Sequence, residues 1–365
     1  MERKEALKKW LAAQHPDRPF TLKHLAQDAD FRRYFRADFA DGATLVCMDA
    51  DPEKINLDAY INVRNLFAPA LNVPQIFDCD KTQGFMTLSD LGDTQLLKAM
   101  QDPQGTHHTP EAQRQLLLQA ADELVLLQKT SRPDVLPEYG RSELLREINL
   151  FPDWFVAIEV LGRNPEQVVR KHDPLCQDQA QLGEAARPVF NTRQAELWQQ
   201  GLNALLPVIE NQPKVFVHRD FIVRNLMLTP ERIGVLDFQD ALYGPIAYDL
   251  VSLLRDAFIE WEEALVLDIA IRYWEKARAA ALPVPATFDE FYRWFEFTGV
   301  QRHLKVAGIF TRLRHRDHKD KYYPEIPRFL NYLRRTTRRY GELRPLYDVL
   351  VSLAGDDDVQ TGYTF

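Results

Sequence analysis

The feature that most constrains this chain is a polar segment held between two apolar runs. The stretch VHRDFIVRNLML runs from Val217 to Leu228, and the apolar run IGVLDF follows it at residues 233–238. Short apolar runs bounded by polar residues are typical of buried strands. A polar loop between such strands is held in place by the core, as functional loops often are. We therefore predict a β-hairpin that carries functional groups at its strand ends.

The order of the polar residues in this segment matches the requirements of phosphoryl transfer. Asn225 follows Asp220 by five positions, and Asp237 follows Asn225 by twelve. A kinase needs a carboxylate beside the attacking hydroxyl, and it needs oxygen ligands for the Mg²⁺ on the nucleotide phosphates. We assign Asp220 as the catalytic base, and Asn225 and Asp237 as catalytic metal ligands. The alternative is a surface turn in which this spacing arose by chance.

Two other residues of the segment have less direct roles. His218 is interpreted as structural support for the loop rather than as an acid or base. Arg224 is a catalytic candidate, because a cation would stabilise the charge on the transferred phosphoryl group. The alternative for Arg224 is a salt bridge that orders the loop.

The chain is strand-rich at its start and helical afterwards, which predicts an α+β fold. An Asp-Gly pair at 41–42 lies between two β-rich runs and indicates a hairpin. Residues 53–68 are predicted to be a helix, and two more short strands surround Gly84. Helical spacing is found in residues 2–14, 111–129, 141–150, 192–210, 246–258, 260–280, 287–310 and 325–340. We expect a small antiparallel-sheet lobe over 1–88, a large helical lobe over 89–353, a hinge at about 86–93 and a mobile tail at 354–365.

Composition excludes several classes of protein. The net charge of −8 argues against broad binding to nucleic acids or anionic membranes. Cys47, Cys79 and Cys176 lack metal-ligand spacing and indicate reduced thiols. The N-terminus has no apolar signal region, and no run of about 18 apolar residues occurs. We expect a cytoplasmic protein, a monomer or weak dimer, without nucleic-acid or membrane partners.

Taken together, these motifs resemble the aminoglycoside phosphotransferase/choline kinase superfamily, over nearly the whole chain. The stretches FRRYFR, LFPDWF and DFQDALYGPIAYDL are most similar to the anomeric kinases for N-acetylmuramate and N-acetylglucosamine. The resemblance implies a protein-kinase-like bilobal fold with ATP and Mg²⁺ as cofactors. It also implies phosphorylation of the sugar C1 hydroxyl to an α-1-phosphate, which feeds nucleotide-sugar salvage in peptidoglycan recycling. In such folds an acidic residue at the position of Asp249 supports the catalytic loop.

The nucleotide-binding region departs from the pattern of many relatives. They carry a Lys on the strand that here reads LVCMDA, whereas Met48 stands near that position, and a glycine-rich phosphate loop is missing. We hypothesise that arginines of the FRRYFR stretch supply the missing positive charge, and the alternative is an exposed hairpin. The connector MTLSDLGD is expected to bind adenine through its backbone. The predicted cofactor-binding residues are Arg32, Arg33, Tyr34, Arg36, Met86, Ser89, Asp90 and Leu91.

We expect the sugar to bind in the helical part of the chain. Aromatic faces suit a pyranose ring and carboxylates suit its hydroxyls, which makes Glu147, Asp153 and Trp154 candidates. A basic group would suit the lactyl carboxylate of N-acetylmuramate, and Arg302 and His303 are candidates for it. The alternative for the aromatic residues is a place in the core.

The same motifs are compatible with other functions. A kinase of the same fold could act on an aminoglycoside, choline or another amino sugar, and Glu147, Asp153 and Asp240 would then form an acidic pocket. A nucleotide-binding pseudokinase is disfavoured because the predicted base and metal ligands are intact. A protein kinase is disfavoured because the chain lacks a glycine-rich loop, an Ala-Pro-Glu segment and an activation loop.

Overall fold

The computed structural model of the chain describes residues 2–25, 32–173 and 179–354. Residue 31 of the FRRYFR stretch and residues 355–365 of the predicted tail lie outside these ranges. The strands are β1 Phe20–His24, β2 Arg33–Phe39, β3 Thr44–Asp49, β4 Ile76–Asp80, β5 Phe85–Leu88, β6 Lys214–Val217, β7 Leu226–Met227, β8 Gly234–Val235 and β9 Leu242–Pro245. The α-helices are α1 Glu2–Gln14, α2 Leu57–Phe67, α3 Leu96–Gln101, α4 Pro110–Lys129, α5 Arg141–Ile148, α6 Pro165–Lys171, α7 Thr192–Glu210, α8 Tyr248–Leu254, α9 Glu263–Ala279, α10 Phe288–His315, α11 Ile326–Arg339 and α12 Arg344–Ala354.

Packing divides the chain into two compact units. The first consists of Met1–Thr130 with His218–Ala241, and the second of Ser131–Val217 with Leu242–Phe365. Residues 218–238, the predicted catalytic segment, therefore pack in the same unit as the N-terminal sheet. We call this stretch the catalytic segment. The predicted lobe boundary after residue 88 and the predicted hinge stay predictions.

The first unit contains the predicted antiparallel sheet. Within the described residues its strands follow the order β1-β2-β3-β5-β4, and all neighbours are antiparallel. The predicted hairpin joins β2 to β3, where Gly42 has a φ of +86° and the Asp41 carboxylate accepts a hydrogen bond from the Ala43 N–H at 3.1 Å. Glycine adopts this left-handed conformation without the steric cost of a Cβ. The strand pattern and the turn residues therefore predicted the same hairpin, which is confirmed.

Side-chain alternation along β2 separates its two faces. Phe35, Ala37 and Phe39 are buried together with Leu7 and Leu11 of α1. Because successive side chains of a strand point to opposite faces, the residues between them lie on the other face of the sheet. This alternation decides where each arginine of the FRRYFR stretch lies.

The second unit is largely helical and is built around α10. All residues from Phe295 to Gly308 are buried, although polar residues such as Gln301 and Lys305 are among them. A helix that is buried on all sides lies in the centre of its bundle. Its neighbours supply the apolar core, with Leu205 of α7 and Leu333 of α11 fully buried.

The α+β fold class and the helices predicted from their spacing are confirmed, with ends that differ by a few residues. Helices α3, α6 and α12 were not predicted. Residues Phe151–Val160 form a π-helix, for which the sequence pattern contains no signal. Within the described ranges, every helix is too short or too polar to cross a bilayer.

Candidate active site

The catalytic segment is connected by hydrogen bonds from Asn225. Its side-chain Nδ2 donates to the backbone oxygen of Asp220 at 2.9 Å and lies 3.4 Å from Oδ2 of Asp237. The Leu236 N–H donates to the Asn225 backbone oxygen at 2.9 Å, next to the β7–β8 ladder. The structure therefore brings together the three residues that the sequence singled out by their spacing.

The backbone on either side of these residues adopts conformations that non-glycine residues rarely take. Arg219 has a φ of +74° and Asp237 a φ of +64°. Such conformations cost free energy and persist only where surrounding contacts hold them, often at functional sites. One of these contacts comes from His218, whose buried ring places Nε2 2.9 Å from the backbone oxygen of Leu236. His218 thus connects the catalytic loop to the residue that precedes Asp237.

Negative charge is concentrated beside Asp237. The pKa of Asp237 is raised to about 6, first because the carboxyl is poorly solvated and second because Asp220 is close, while Arg32 opposes the increase. The side chain is nonetheless 47% exposed, since it faces an open pocket. A cation that binds between Asp220 and Asp237 would reduce the repulsion between their carboxylates.

The donor atoms at this position fit Mg²⁺. An amide oxygen and a carboxylate are hard oxygen ligands, and Mg²⁺ usually takes one or two carboxylates and completes its shell with phosphates and water. Asn225 and Asp237 provide such a pair. The described part of the chain contains no group of three or more His, Cys, Asp or Glu residues that could hold a metal. A metal here would therefore depend on a second, oxygen-rich ligand.

A pocket in the first unit lies beside the catalytic segment. Its walls come from β2, β3, the end of β5 and the segment 89–95, together with the catalytic loop. Sequence-predicted residues that line it are Arg32, Tyr34, Arg36, Ser89, Asp90, Leu91, Arg224, Asn225 and Asp237. Residues that line it but were not predicted include Val46, Tyr60, Leu88, Gln95 and Lys98. Met86, which was also predicted, is fully buried in β5.

Strand β2 and the residue before it carry three arginines, whose side chains lie on different faces of the sheet. Arg33 pairs with the buried carboxylate of Asp49, which also accepts from Arg3 of α1 at 2.6 Å. It lies on the α1 face of the sheet and does not line the pocket, because strand alternation places Tyr34 and Arg36 on the other face. Arg32 is on the pocket side, 6% exposed, with Nη2 3.7 Å from Oδ1 of Asp237.

Arg36 is held by the segment that follows β5. Its guanidinium donates one hydrogen bond to the Asp90 carboxylate at 2.9 Å and one to the backbone oxygen of Gly92 at 3.1 Å. Its Nε lies 2.6 Å from the other carboxylate oxygen of Asp90 in an ion pair. It also pairs with Asp93. Its positive charge is therefore balanced by two carboxylates, and its contacts fix the backbone of the predicted hinge.

The candidate sugar residues lie in the second unit, mostly in its interior. Trp154 is 2% exposed and stacks on the ring of His172 at 5.0 Å. Arg302 lies with its guanidinium 5.7 Å from the ring centroid of Tyr248. Among the five candidates, all within the described ranges, only Asp153 keeps substantial exposure, at 35% of its side chain. The roles of all five as sugar ligands stay predictions.

Two of these candidates occupy distinct environments in the core. Glu147 accepts hydrogen bonds from the Tyr139 hydroxyl, from Gln301 at 3.1 Å and from Lys305 at 3.0 Å. His303 stacks on Tyr332 at 4.9 Å, and neither of its ring nitrogens has a hydrogen-bond partner within the described structure. Asp249, the predicted support residue, is 1% exposed in the first turn of α8.

A comparison with protein families decides the classification. A family model described as the phosphotransferase enzyme family matches residues 21–284, a range that includes the pocket and the catalytic segment. The chain belongs to this family. It is therefore a phosphotransferase with an alcohol group as acceptor, as the catalytic spacing predicted.

Similar proteins agree with this classification. The N-acetylmuramate/N-acetylglucosamine kinase of Neisseria meningitidis serogroup B is 60% identical over 365 residues, which cover the whole of both chains. A choline/ethanolamine kinase family protein from Mesorhizobium loti has a TM-score of 0.59 at 16% identity, over 96% of this chain and 99% of the other. The ADP-bound aminoglycoside phosphotransferase APH(2'')-Ib has a TM-score of 0.52 at 12% identity, over 95% and 99%. The resemblance inferred from the motifs is confirmed, and the two structures support the fold.

Proposed function

We propose that this protein is an ATP-dependent kinase that phosphorylates the anomeric C1 hydroxyl of N-acetylmuramate, N-acetylglucosamine or both. The observation that carries the proposal is the full-length similarity to a kinase named for both sugars, combined with an intact catalytic segment. The product would be the α-1-phosphate, which a cytoplasmic nucleotide-sugar salvage route in peptidoglycan recycling would consume.

The proposed chemistry assigns one role to each catalytic residue. Asp220 accepts the proton of the C1 hydroxyl as that oxygen forms its bond to the γ-phosphorus. The bond between the γ-phosphorus and the bridging oxygen breaks, and ADP leaves with the electron pair. Arg224 stabilises the negative charge that is spread over the transferred group.

The remaining groups position the nucleotide. Asn225 and Asp237 would hold Mg²⁺, which neutralises charge on the phosphate oxygens when it is bound. Leu88 and the segment from Ser89 to Leu91 line the pocket, and we assign them to adenine. The structure of the similar aminoglycoside phosphotransferase contains bound ADP, which supports nucleotide binding in this fold.

The test is a substrate panel with Mg-ATP, in which ADP release is measured. N-acetylmuramate and N-acetylglucosamine should be turned over, and ³¹P NMR with proton coupling should place the phosphate on C1. An N-acetylglucosamine analogue that lacks the C1 hydroxyl should give no product. Asp220→Asn should lower kcat by about 10²–10⁴-fold, the usual contribution of general-base catalysis, with little change in ATP affinity.

Other outcomes would overturn parts of the proposal. Turnover of choline or an aminoglycoside alone would retain the reaction but refute the substrate. A phosphate on a hydroxyl other than C1 would refute the position. ATP binding without turnover of any sugar would favour the pseudokinase.

A further inference from the structure

Among the described residues that line the nucleotide pocket, few are cations that can meet phosphate groups. Those lining it are Arg32, Arg36, Lys98 and Arg224. Arg36 is balanced by Asp90 and Asp93 on the predicted hinge, and Lys98 is on the exposed side of α3. Arg32 is the one whose guanidinium is both nearly buried and next to a proposed metal ligand, at 3.7 Å from Asp237.

Strand pairing explains why the cation comes from β2. Met48 of β3 pairs with Tyr34 of β2, and Val46 pairs with Arg36. Met48 therefore lies on the pocket face of the sheet, but it is fully buried and carries no charge. On that face, a positive group close to Asp237 is supplied by Arg32, the residue immediately before β2.

We propose that Arg32 is the phosphate-binding cation of this site and contacts the β-phosphate of the nucleotide directly. This inference rests on the proposed function, because it names the residue that binds the ATP phosphates. A guanidinium kept this far from solvent needs anionic neighbours. Asp237 supplies one in the structure, and a diphosphate supplies several oxygens, two of which a planar guanidinium can bind at once.

This geometry also predicts how Arg32 and Asp237 cooperate. The Arg32 guanidinium and the Asp237 carboxylate lie 3.7 Å apart, and both residues line the pocket. The Asp237 carboxylate would hold Mg²⁺, and Arg32 would bind phosphate oxygens. Arg36 has a different task, because its contacts hold the backbone at 90–93.

Isothermal titration calorimetry with ADP and with adenosine distinguishes the role proposed for Arg32 from that of Arg36. Arg32→Ala should raise the Kd of ADP by about 10- to 100-fold, the usual effect of losing a charge-assisted hydrogen bond. The Kd of adenosine should change by less than about threefold, since the nucleoside has no phosphate. Arg36→Ala should instead weaken ADP and adenosine by similar factors. Arg18→Ala, which removes an exposed pair with Asp41 far from the pocket, should change neither.

Three controls keep the outcomes distinct. Titrations in EDTA remove any effect that acts through Asp237 and a metal, and the loss caused by Arg32→Ala should persist there. Arg32→Lys keeps the positive charge but loses the planar, bidentate arrangement of N–H donors. It should give a Kd for ADP between those of the wild type and Arg32→Ala. Thermal unfolding of each variant checks its fold, and Arg32→Gln replaces Arg32→Ala if the alanine variant does not fold.

The proposal is overturned if Arg32→Ala weakens ADP and adenosine equally, leaves both unchanged, or weakens ADP only when Mg²⁺ is present. In each case the wild type still binds ADP, so the proposed function survives. If the wild type binds neither ADP nor ATP, the proposed function itself fails, and the role of Arg32 fails with it.

Discussion

Replacing Glu147 by Gln should destabilise the protein far more than replacing an exposed acid. The Glu147 side chain is 1% exposed, and its carboxylate lies 3.0 Å from the ammonium of Lys305, which is 6% exposed. The neutral amide cannot balance that charge. In the folded variant the Lys305 ammonium would be buried without its carboxylate, whereas in the unfolded chain water would solvate it. The folded state is therefore destabilised relative to the unfolded state.

The structure sets the expected magnitude. Breaking a buried ion pair by removing one partner costs about 3–5 kcal/mol. Lys305 keeps a hydrogen bond to the Tyr248 hydroxyl at 3.1 Å and lies 5.7 Å from the centroid of that ring, which stabilise part of its charge. We therefore expect Glu147→Gln to lower the free energy of unfolding by about 3 kcal/mol, at the lower end of this range.

The assay is equilibrium urea unfolding followed by circular dichroism. The double variant Glu147→Gln/Lys305→Met removes both charges and should recover at least half of the lost free energy, because no buried charge is left unpaired. Asp348→Asn is the control. It breaks an exposed pair with Arg344 and should cost less than about 0.5 kcal/mol.

Two results would refute this reasoning. A loss for Glu147→Gln as small as that of the control would show that the carboxylate does not balance a buried charge. If the double variant lost as much free energy of unfolding as the two single variants together, Glu147 and Lys305 would act independently. A raised KM for the sugar with unchanged stability would return Glu147 to the substrate site that the sequence predicted for it.

Three further predictions follow from burial and close packing. In His303→Phe the free energy of unfolding should fall less between pH 7 and pH 5 than in the wild type, because burial holds the pKa of His303 well below 6.5. Urea unfolding at each pH would measure this. Gly308→Ala should cost about 3 kcal/mol in the same assay, at the top of the range for overpacking, because a Cβ there would lie 2.3 Å from the backbone of Leu150. Cys79 is exposed and should react with a maleimide in the native protein, whereas Cys47 is buried with its pKa raised to about 12 and should react only after unfolding, as peptide mapping would show.

The sign of the pH effect follows from proton linkage. Burial first, and then the positive charges of Arg255, Arg302 and Arg335, disfavour the imidazolium of His303 in the folded protein. The unfolded chain takes up that proton near pH 6.5 while the folded chain does not, so the contribution to stability is present at neutral pH and is lost as pH falls. An unchanged pH slope in His303→Phe would contradict this.

The other two predictions have their own controls. Gly341→Ala, where a Cβ would meet no atom within 4 Å, should cost much less than Gly308→Ala, and equal costs would refute the packing argument. Modification of Cys47 in the native protein at the rate of Cys79 would show that its strand opens readily.

The catalytic segment and the sheet could be predicted because their constraints are local. The base and metal ligands expected for phosphoryl transfer lie at short spacings along one hairpin, so Asp220, Asn225 and Asp237 could be singled out as candidates, and the structure brings them together. The turn at Gly42 was recognisable because it needs a residue that tolerates a positive φ. Each of these signals depends on neighbours a few positions away in the chain.

The π-helix at Phe151–Val160 could not be predicted in this way, and its packing supplies the reason. A Cβ at Gly308 would meet the backbone of Leu150, the residue before the π-helix, at 2.3 Å. The glycine allows this close approach of α10. A contact between residues so far apart in the sequence leaves no periodic pattern in either segment.

The sequence by itself determined the reaction class and the fold class, and it singled out Asp220, Asn225 and Asp237 as candidates for the catalytic loop. Only the tertiary structure decided that Arg33 faces α1, that Arg36 holds the segment after β5 and that Arg32 reaches Asp237. It also decided that Glu147 and His303 lie in the core. The physical reason is that a side chain's partners are set by strand register and by the helices packed around it, and both bring together residues that are distant in the chain.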